Sequence, residues 1–212
     1  MGRPPRYDAD RLLDAAADLL ASGGPAAVTM SGVAKAAGAP SGSVYHRFPD
    51  RPALLAALWG RALRRFHGEL LAALSRGEPR EAIVHGARVS LEWARRHPRD
   101  ARVLLAGARE LDERSWSEPA RAATARANAA LHNRLAALIE GCAETSPDAA
   151  DRIFLAVIDL PYAMIRRYLG AGREIPAHAA DLAEQAAAAL FTMRRTRDIP
   201  GHTPGPPSSP GA

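Results

Sequence analysis

An all-α fold is what this chain of 212 residues predicts, on three observations. Apolar residues recur at spacings of three and four along most segments, and no run alternates apolar with polar as a half-buried strand would. The breaks between segments fall at clusters of Gly and Pro, which stop one helix and start the next. Alanine and arginine dominate while aromatics make up only 5%, and the commonest residues of strands are scarce.

Residues 1–7, MGRPPRY, read as a basic arm in which Arg3 and Arg6 either reach a nucleic-acid backbone or form an unstructured start. Asp8 to Ala21 predict a first helix, with Leu12, Leu13, Ala16, Leu19 and Leu20 on one stripe. Its early acids, Asp8, Asp10 and Asp14, suit the positive end of the helix dipole, and Ser22-Gly23-Gly24-Pro25 ends it.

The stretch Thr29–Phe48, TMSGVAKAAGAPSGSVYHRF, reads as two short helices around a tight turn. Thr29 is expected to cap the first, whose apolar face is Val33, Ala34 and Ala37. Gly38 stops it, because a helix end at positive φ is least strained with glycine, and Ala39-Pro40 cannot continue it. Ser41 is expected to cap the second. There Val44 and Phe48 turn inward, Ser43, His46 and Arg47 outward, with Tyr45 at the edge. Such a helix fits a DNA major groove, and it equally describes an ordinary αα-hairpin.

The run GAPSGSVYHRFPDRPALLAALW resembles the N-terminal signature of TetR-type bacterial transcriptional regulators, in register at Gly38, Ser41 or Pro40, Gly42, Val44, Tyr45, Phe48 and Leu54. Three places depart from it. Ala39-Pro40 stands where Val-Ser is common, Arg47 where the family has His, and Arg51 where Lys is usual. The resemblance covers about fifty residues and implies a three-helix DNA-binding head joined by a connector helix to a helical ligand-binding and dimerisation body. It implies DNA contacts at Thr29, Lys35, Ser41, Ser43, Tyr45, His46 and Arg51, with Arg47 taking over from the missing His.

Pro49-Asp50-Arg51-Pro52 makes a stop and a fresh cap, and the head is expected over 1–52. The connector, Ala53–Leu74, carries Leu54, Leu55, Leu58, Trp59, Leu63, Phe66 and Leu70. Helices are then expected over 80–96, 100–111, 119–142, 148–169 and 177–193, within a body of 53–197. Residues 198–212 are rich in Pro, Gly and Ser and predict a disordered tail.

The helix over 148–169 is apolar nearly all round, so it must be covered on several sides. With the last helix it predicts a homodimer through Phe154, Ile158, Ala183, Ala187 and Leu190, an arrangement the resemblance also implies, the alternative being burial wholly inside one subunit. Pro161 should kink the first of the two, and Asp159 should either pair across that dimer or line a cavity. A small-molecule pocket is expected among the body's aromatic and polar insertions. Trp93, Arg109 and Tyr162 are its principal candidates, and Leu104, Leu105, Trp116, Asn128, His132 and Met164 lie nearby.

The formal charge of +5 sits mostly in residues 1–68, where nine Lys/Arg meet five Asp, a modest excess where a polyanion would bind. Lys35 is the one lysine beside 27 arginines. The single Cys142 has no internal partner and there is no metal-ligand cluster in the sequence, so neither a disulfide nor a metal is expected. Phosphate-cradling Gly loops, nucleophile elbows and H-E-x-x-H are missing, which argues against an enzyme and against a cofactor. The start lacks the apolar run of a signal peptide, no segment approaches a membrane span, and a cytoplasmic protein is expected. These readings combine into a dimeric regulator, most often a repressor, that binds a palindromic operator and is released by a small effector. The alternative is an all-helical small-molecule-binding protein whose head no longer binds DNA.

Overall fold

The computed structural model describes residues 8–143 and 148–192. The arm with Arg3 and Arg6, the tail over 198–212 and the last residue of the helix expected over 177–193 lie outside them. The described residues form helices and connections with no strand. In order these are α1 (Ala9–Ala27), α2 (Met30–Ala37), α3 (Ser41–Arg47), α4 (Arg51–Leu74), α5 (Pro79–Arg96) and α6 (Pro98–Glu110). A 3-10 turn (Glu113–Ser115) leads to α7 (Glu118–Ala143), α8 (Ala149–Phe154), a π-helical segment (Leu155–Asp159), α9 (Leu160–Leu169) and α10 (His178–Thr192).

Local chemistry accounts for most of these ends. Asp8 caps α1 by accepting from the Arg11 amide at 2.8 Å, and Asp50 caps α4 by accepting from Ala53 at 2.8 Å. The Gly23-Gly24-Pro25 break is real but softer than expected. The chain leaves helical geometry at Gly24 (φ 70°) and Pro25 begins one more turn, so α1 extends to Ala27. Pro161 leaves its mark one turn upstream. Its ring removes an amide donor and crowds the preceding carbonyls, and the backbone widens into π geometry over Leu155–Asp159 rather than breaking.

Two apolar cores share α4 as a common wall. The first gathers Leu12, Ala16, Val33 and Val44 from the head with Leu54, Leu58 and Trp59 from the first half of α4. Val103, Leu111 and Trp116 join it, so packing does not part where the head was expected to end. The second core holds Leu70 and Leu74 from the end of α4 with Ile83, Leu91, Leu135, Ile153, Ala183 and Ala187. Leu104 packs against both.

Candidate nucleic-acid interface and effector cavity

The head builds its exposed face from two helix ends. Thr29 accepts the Gly32 amide at 3.0 Å, and a Cβ at Gly32 would meet the Thr29 hydroxyl at 2.8 Å. Gly32 is therefore what lets the capping turn close. At the far end of α2, Gly38 takes φ 62°, and the Ala39 amide reaches Ala34 O at 2.9 Å while Gly38 N reaches Lys35 O at 3.1 Å. That pair of bonds aims the chain into α3.

On α3 the expected sidedness is present. Val44 is fully buried and Phe48, just past the helix, is buried beside it. Tyr45 is 55% exposed, and Ser41, His46 and Arg47 are exposed around it, with Ser43 half-buried. Thr29 and Lys35 are exposed on α2. One expectation fails at the start of α3. Pro40, not Ser41, holds the N-cap position and no side chain caps the helix. Ser41 is already helical, so its hydroxyl faces solvent instead of closing the turn. Arg51, expected at the DNA by resemblance, is bonded within the head. Its Nε donates to Val28 O and its Nη2 to Pro25 O, each at 2.7 Å.

In the body, a cavity of about 130 Å³ opens between α4, α5, α6 and α9. Phe66, Trp93, Leu104 and Leu105 line one side, and Ile158, Pro161 and Tyr162 the other. Trp93 packs on Phe66 with ring centroids 4.9 Å apart, and its buried indole N–H has no protein partner. Ser90 borders the same space, its hydroxyl donating to Gly86 O at 3.0 Å. Tyr162, 46% exposed, stands at the rim.

Of the three principal pocket candidates, Trp93 and Tyr162 line the cavity and Arg109 does not. Arg109 is exposed, beyond the kink that Gly107 puts into α6. Asn128 and His132 face outward on α7. Trp116 packs against Trp59 at 6.4 Å in the other core and donates to Leu111 O at 3.0 Å. Phe66 and Pro161 escaped the sequence reading because nothing separates a cavity-lining apolar residue from a core one before the helices are placed.

The expected dimer residues divide in the same way. Ala183 and Ala187 are fully buried inside the subunit, where α10 packs along α5. They have no surface to offer a partner. Ile158 lines the cavity and Leu190 packs half-buried on the second core. Phe154 remains outward at 40% exposure, and Leu155 and Leu182 are exposed as well. Asp159 is exposed and lies outside the cavity lining.

An ionic cluster absent from the sequence reading ties head to body. Arg61 on α4 is 5% exposed and lies 2.8 Å from Asp14 and 3.3 Å from Asp10, both on α1. On its other side Asp100, 3% exposed at the start of α6, lies 3.5 Å from Arg61 and accepts from Arg65 at 2.9 Å. Those bonds to Asp100 raise the Arg65 pKa above its ordinary value against the cost of burial.

Residues 12–58 match the profile described as "Bacterial regulatory proteins, tetR family". That segment, the helix-turn-helix head, is of TetR type. Uncharacterized HTH-type transcriptional regulators from two strains of Mycobacterium tuberculosis are 35% identical over 91 residues, a stretch covering 42% of this chain and 45% of theirs. The match thus spans a little under half the length of these curated relatives. Among solved structures, the TetR-family regulator PfmR of Thermus thermophilus aligns with a TM-score of 0.71 at 21% identity, over 90% of this chain and all of that one. FadR of Bacillus subtilis, solved in complex with stearoyl-CoA, aligns at 0.65 and 14% identity, over 87% and 98%. At such identities the likeness is one of fold. No described helix is long and apolar enough to cross a membrane, and the described residues hold no cluster of metal-ligating side chains.

Proposed function

We propose that this chain is a cytoplasmic, sequence-specific transcriptional regulator, acting as a repressor that binds a palindromic operator as a homodimer. The observation that carries the reading is α3, which buries Val44 and Phe48 while leaving Tyr45, His46 and Arg47 exposed on one side. Such a helix can lie in a major groove with its hydroxyl, imidazole and guanidinium groups at phosphates and base edges. Tyr45 and Thr29 are assigned to phosphate, Ser41, Ser43 and His46 to base edge or backbone, and Lys35 and Arg47 to phosphate. The dimer places its two α3 helices about one helical turn of DNA apart, ~34–36 Å or somewhat more.

The effector is a neutral, mainly apolar molecule. Among the described residues no charged side chain lines the cavity, and Ser90 and Tyr162 supply its few polar groups. FadR, of the same fold, was solved with a ligand bearing a long acyl chain, which supports an apolar occupant. Binding in the cavity favours a spacing of the two heads that the operator does not fit, a shift between two states.

Fluorescence-anisotropy titration against the DNA immediately upstream of the chain's own gene, across a salt series, tests this reading. Binding that exceeds random duplex by about a thousandfold, with a steep salt slope, is the expected result. Equal and weak binding to every sequence in a random pool would reject it.

A further inference from the structure

Arg51 is the first residue of α4, following the Asp50 cap, yet its side chain reaches back past the whole helix-turn-helix. Its Nε–H and one Nη2–H run to Val28 O and Pro25 O, each at 2.7 Å. Pro25 opens the last turn of α1, just past the break at Gly24 (φ 70°), and Val28 is the residue that caps that turn before α2. Pro25 O also accepts the Val28 amide at 3.2 Å, so the guanidinium completes a turn that the backbone has half closed. Val28 is fully buried, and the next residue, Thr29, caps α2.

The consequence is a closed loop of structure. The chain leaves this turn through α2, the Gly38 turn and α3, and returns at Arg51, which bonds to the point of departure. Everything that faces outward from α3 lies inside that loop. A planar guanidinium presents parallel donors to two carbonyls at once, whereas an ammonium is a single point charge on a flexible stem. Lysine, the residue usual here in the family signature, keeps the charge but cannot reproduce this fork.

We propose that Arg51 is a positioning residue, which fixes the angle of α3 by clamping the start of α4 to the α1–α2 turn, and is not itself a phosphate contact. The proposal rests on the head being a DNA-binding unit for its effect on affinity, but the clamp itself does not.

The experiment uses Arg51→Lys and Arg51→Ala in the full chain, with two readouts. In the free protein, hydrogen exchange of the amides over residues 24–32 should accelerate in both variants, while circular dichroism shows that the helices persist. On the duplex from immediately upstream of the chain's own gene, both variants should lose about tenfold in affinity, about 1.4 kcal/mol, with an unchanged salt slope. Binding to random duplex should not change. The opposite pattern overturns the proposal: wild-type affinity in Arg51→Lys, with Arg51→Ala lowering the salt slope by about one and weakening all duplexes alike. If the wild-type chain binds no duplex, the DNA reading fails on its own. Exchange then still decides the clamp, and unaltered exchange in Arg51→Lys sinks it.

Discussion

Tyr45 and Arg51 show how two polar residues of one motif divide the work. Tyr45 is more than half exposed, so the fold rests little on it. Tyr45→Ala should therefore leave the melting temperature within about 2 °C, since surface changes without a structural role stay within roughly ±0.5 kcal/mol. It should weaken binding to every duplex and lower the salt slope, by up to about one if the lost bond goes to phosphate. Measuring both quantities on one sample separates a contact from a scaffold residue. Thr29 is intermediate, since its exposed hydroxyl accepts the Gly32 amide and lies 3.4 Å from the Ser31 hydroxyl.

Among the elements, α6 has the most to connect. Ala101, Leu104 and Leu105 face the cavity, while Asp100 beside them holds Arg61 and Arg65 of α4. Through Arg61 the contact continues to Asp10 and Asp14 on α1. A carboxylate this buried is tolerated because two guanidinium groups face it. Asp100→Asn keeps the shape and removes the charge, leaving Arg61 with partners on one side only. The expected cost is about 2–3 kcal/mol, read as a drop of several degrees in a thermal melt. A melt identical to wild type would show that the cluster is incidental to stability.

The contact between α4 and α7 adds a pH dependence. His67 is buried on α4, its ring bonded to the Ala127 backbone and its Nδ1 without a partner, and His132 of α7 adds a like charge when protonated. Burial first, and His132 less, hold the His67 pKa below the ordinary 6.5, against the backbone bond that raises it. As pH falls through 6.5 the unfolded chain takes up this proton before the native one does. Stability is therefore lost below that point until the native ring also protonates. Glu69, held below its ordinary 4.5 mainly by its hydrogen bond to Arg96, contributes its own loss only under that lower value. Melts at about pH 7.5 and 5.5 should show the decline, and His67→Leu should reduce it. A decline equally steep in that variant would assign it elsewhere.

At the scale of the whole molecule, the exposed apolar residues Phe154, Leu155 and Leu182 lie on elements that pack together, α8, the π segment and α10. They are the surface available for the proposed dimer. Leu182→Arg should give monomers by light scattering with an unchanged helical spectrum, because Leu182 is 49% exposed and carries little of the subunit's own core. A variant that still scatters as a dimer would place the interface elsewhere. Leu190 is the wrong probe, since it packs on its own core and a charge there attacks the subunit before any partner.

What the sequence determined by itself is local. Caps at Thr29 and Asp50, the stop at Gly38 and the inward pair Val44 and Phe48 depend on neighbours within a turn or two of helix, and each is where residue chemistry puts it. The family signature is equally short-range, confined to residues that build one motif. What only the tertiary structure decided is which long-range partner each apolar or charged residue meets. Ala183 and Ala187 have the small size of interface residues and also of residues under a crossing helix, and the packing of α10 on α5 chose the second. Trp93 and Trp116 look alike in sequence, yet one lines the cavity and the other stacks on Trp59. Arg51, Arg61 and Asp100 find partners dozens of residues away. Helical periodicity states which side of a helix is turned inward, but it contains no term for what stands opposite.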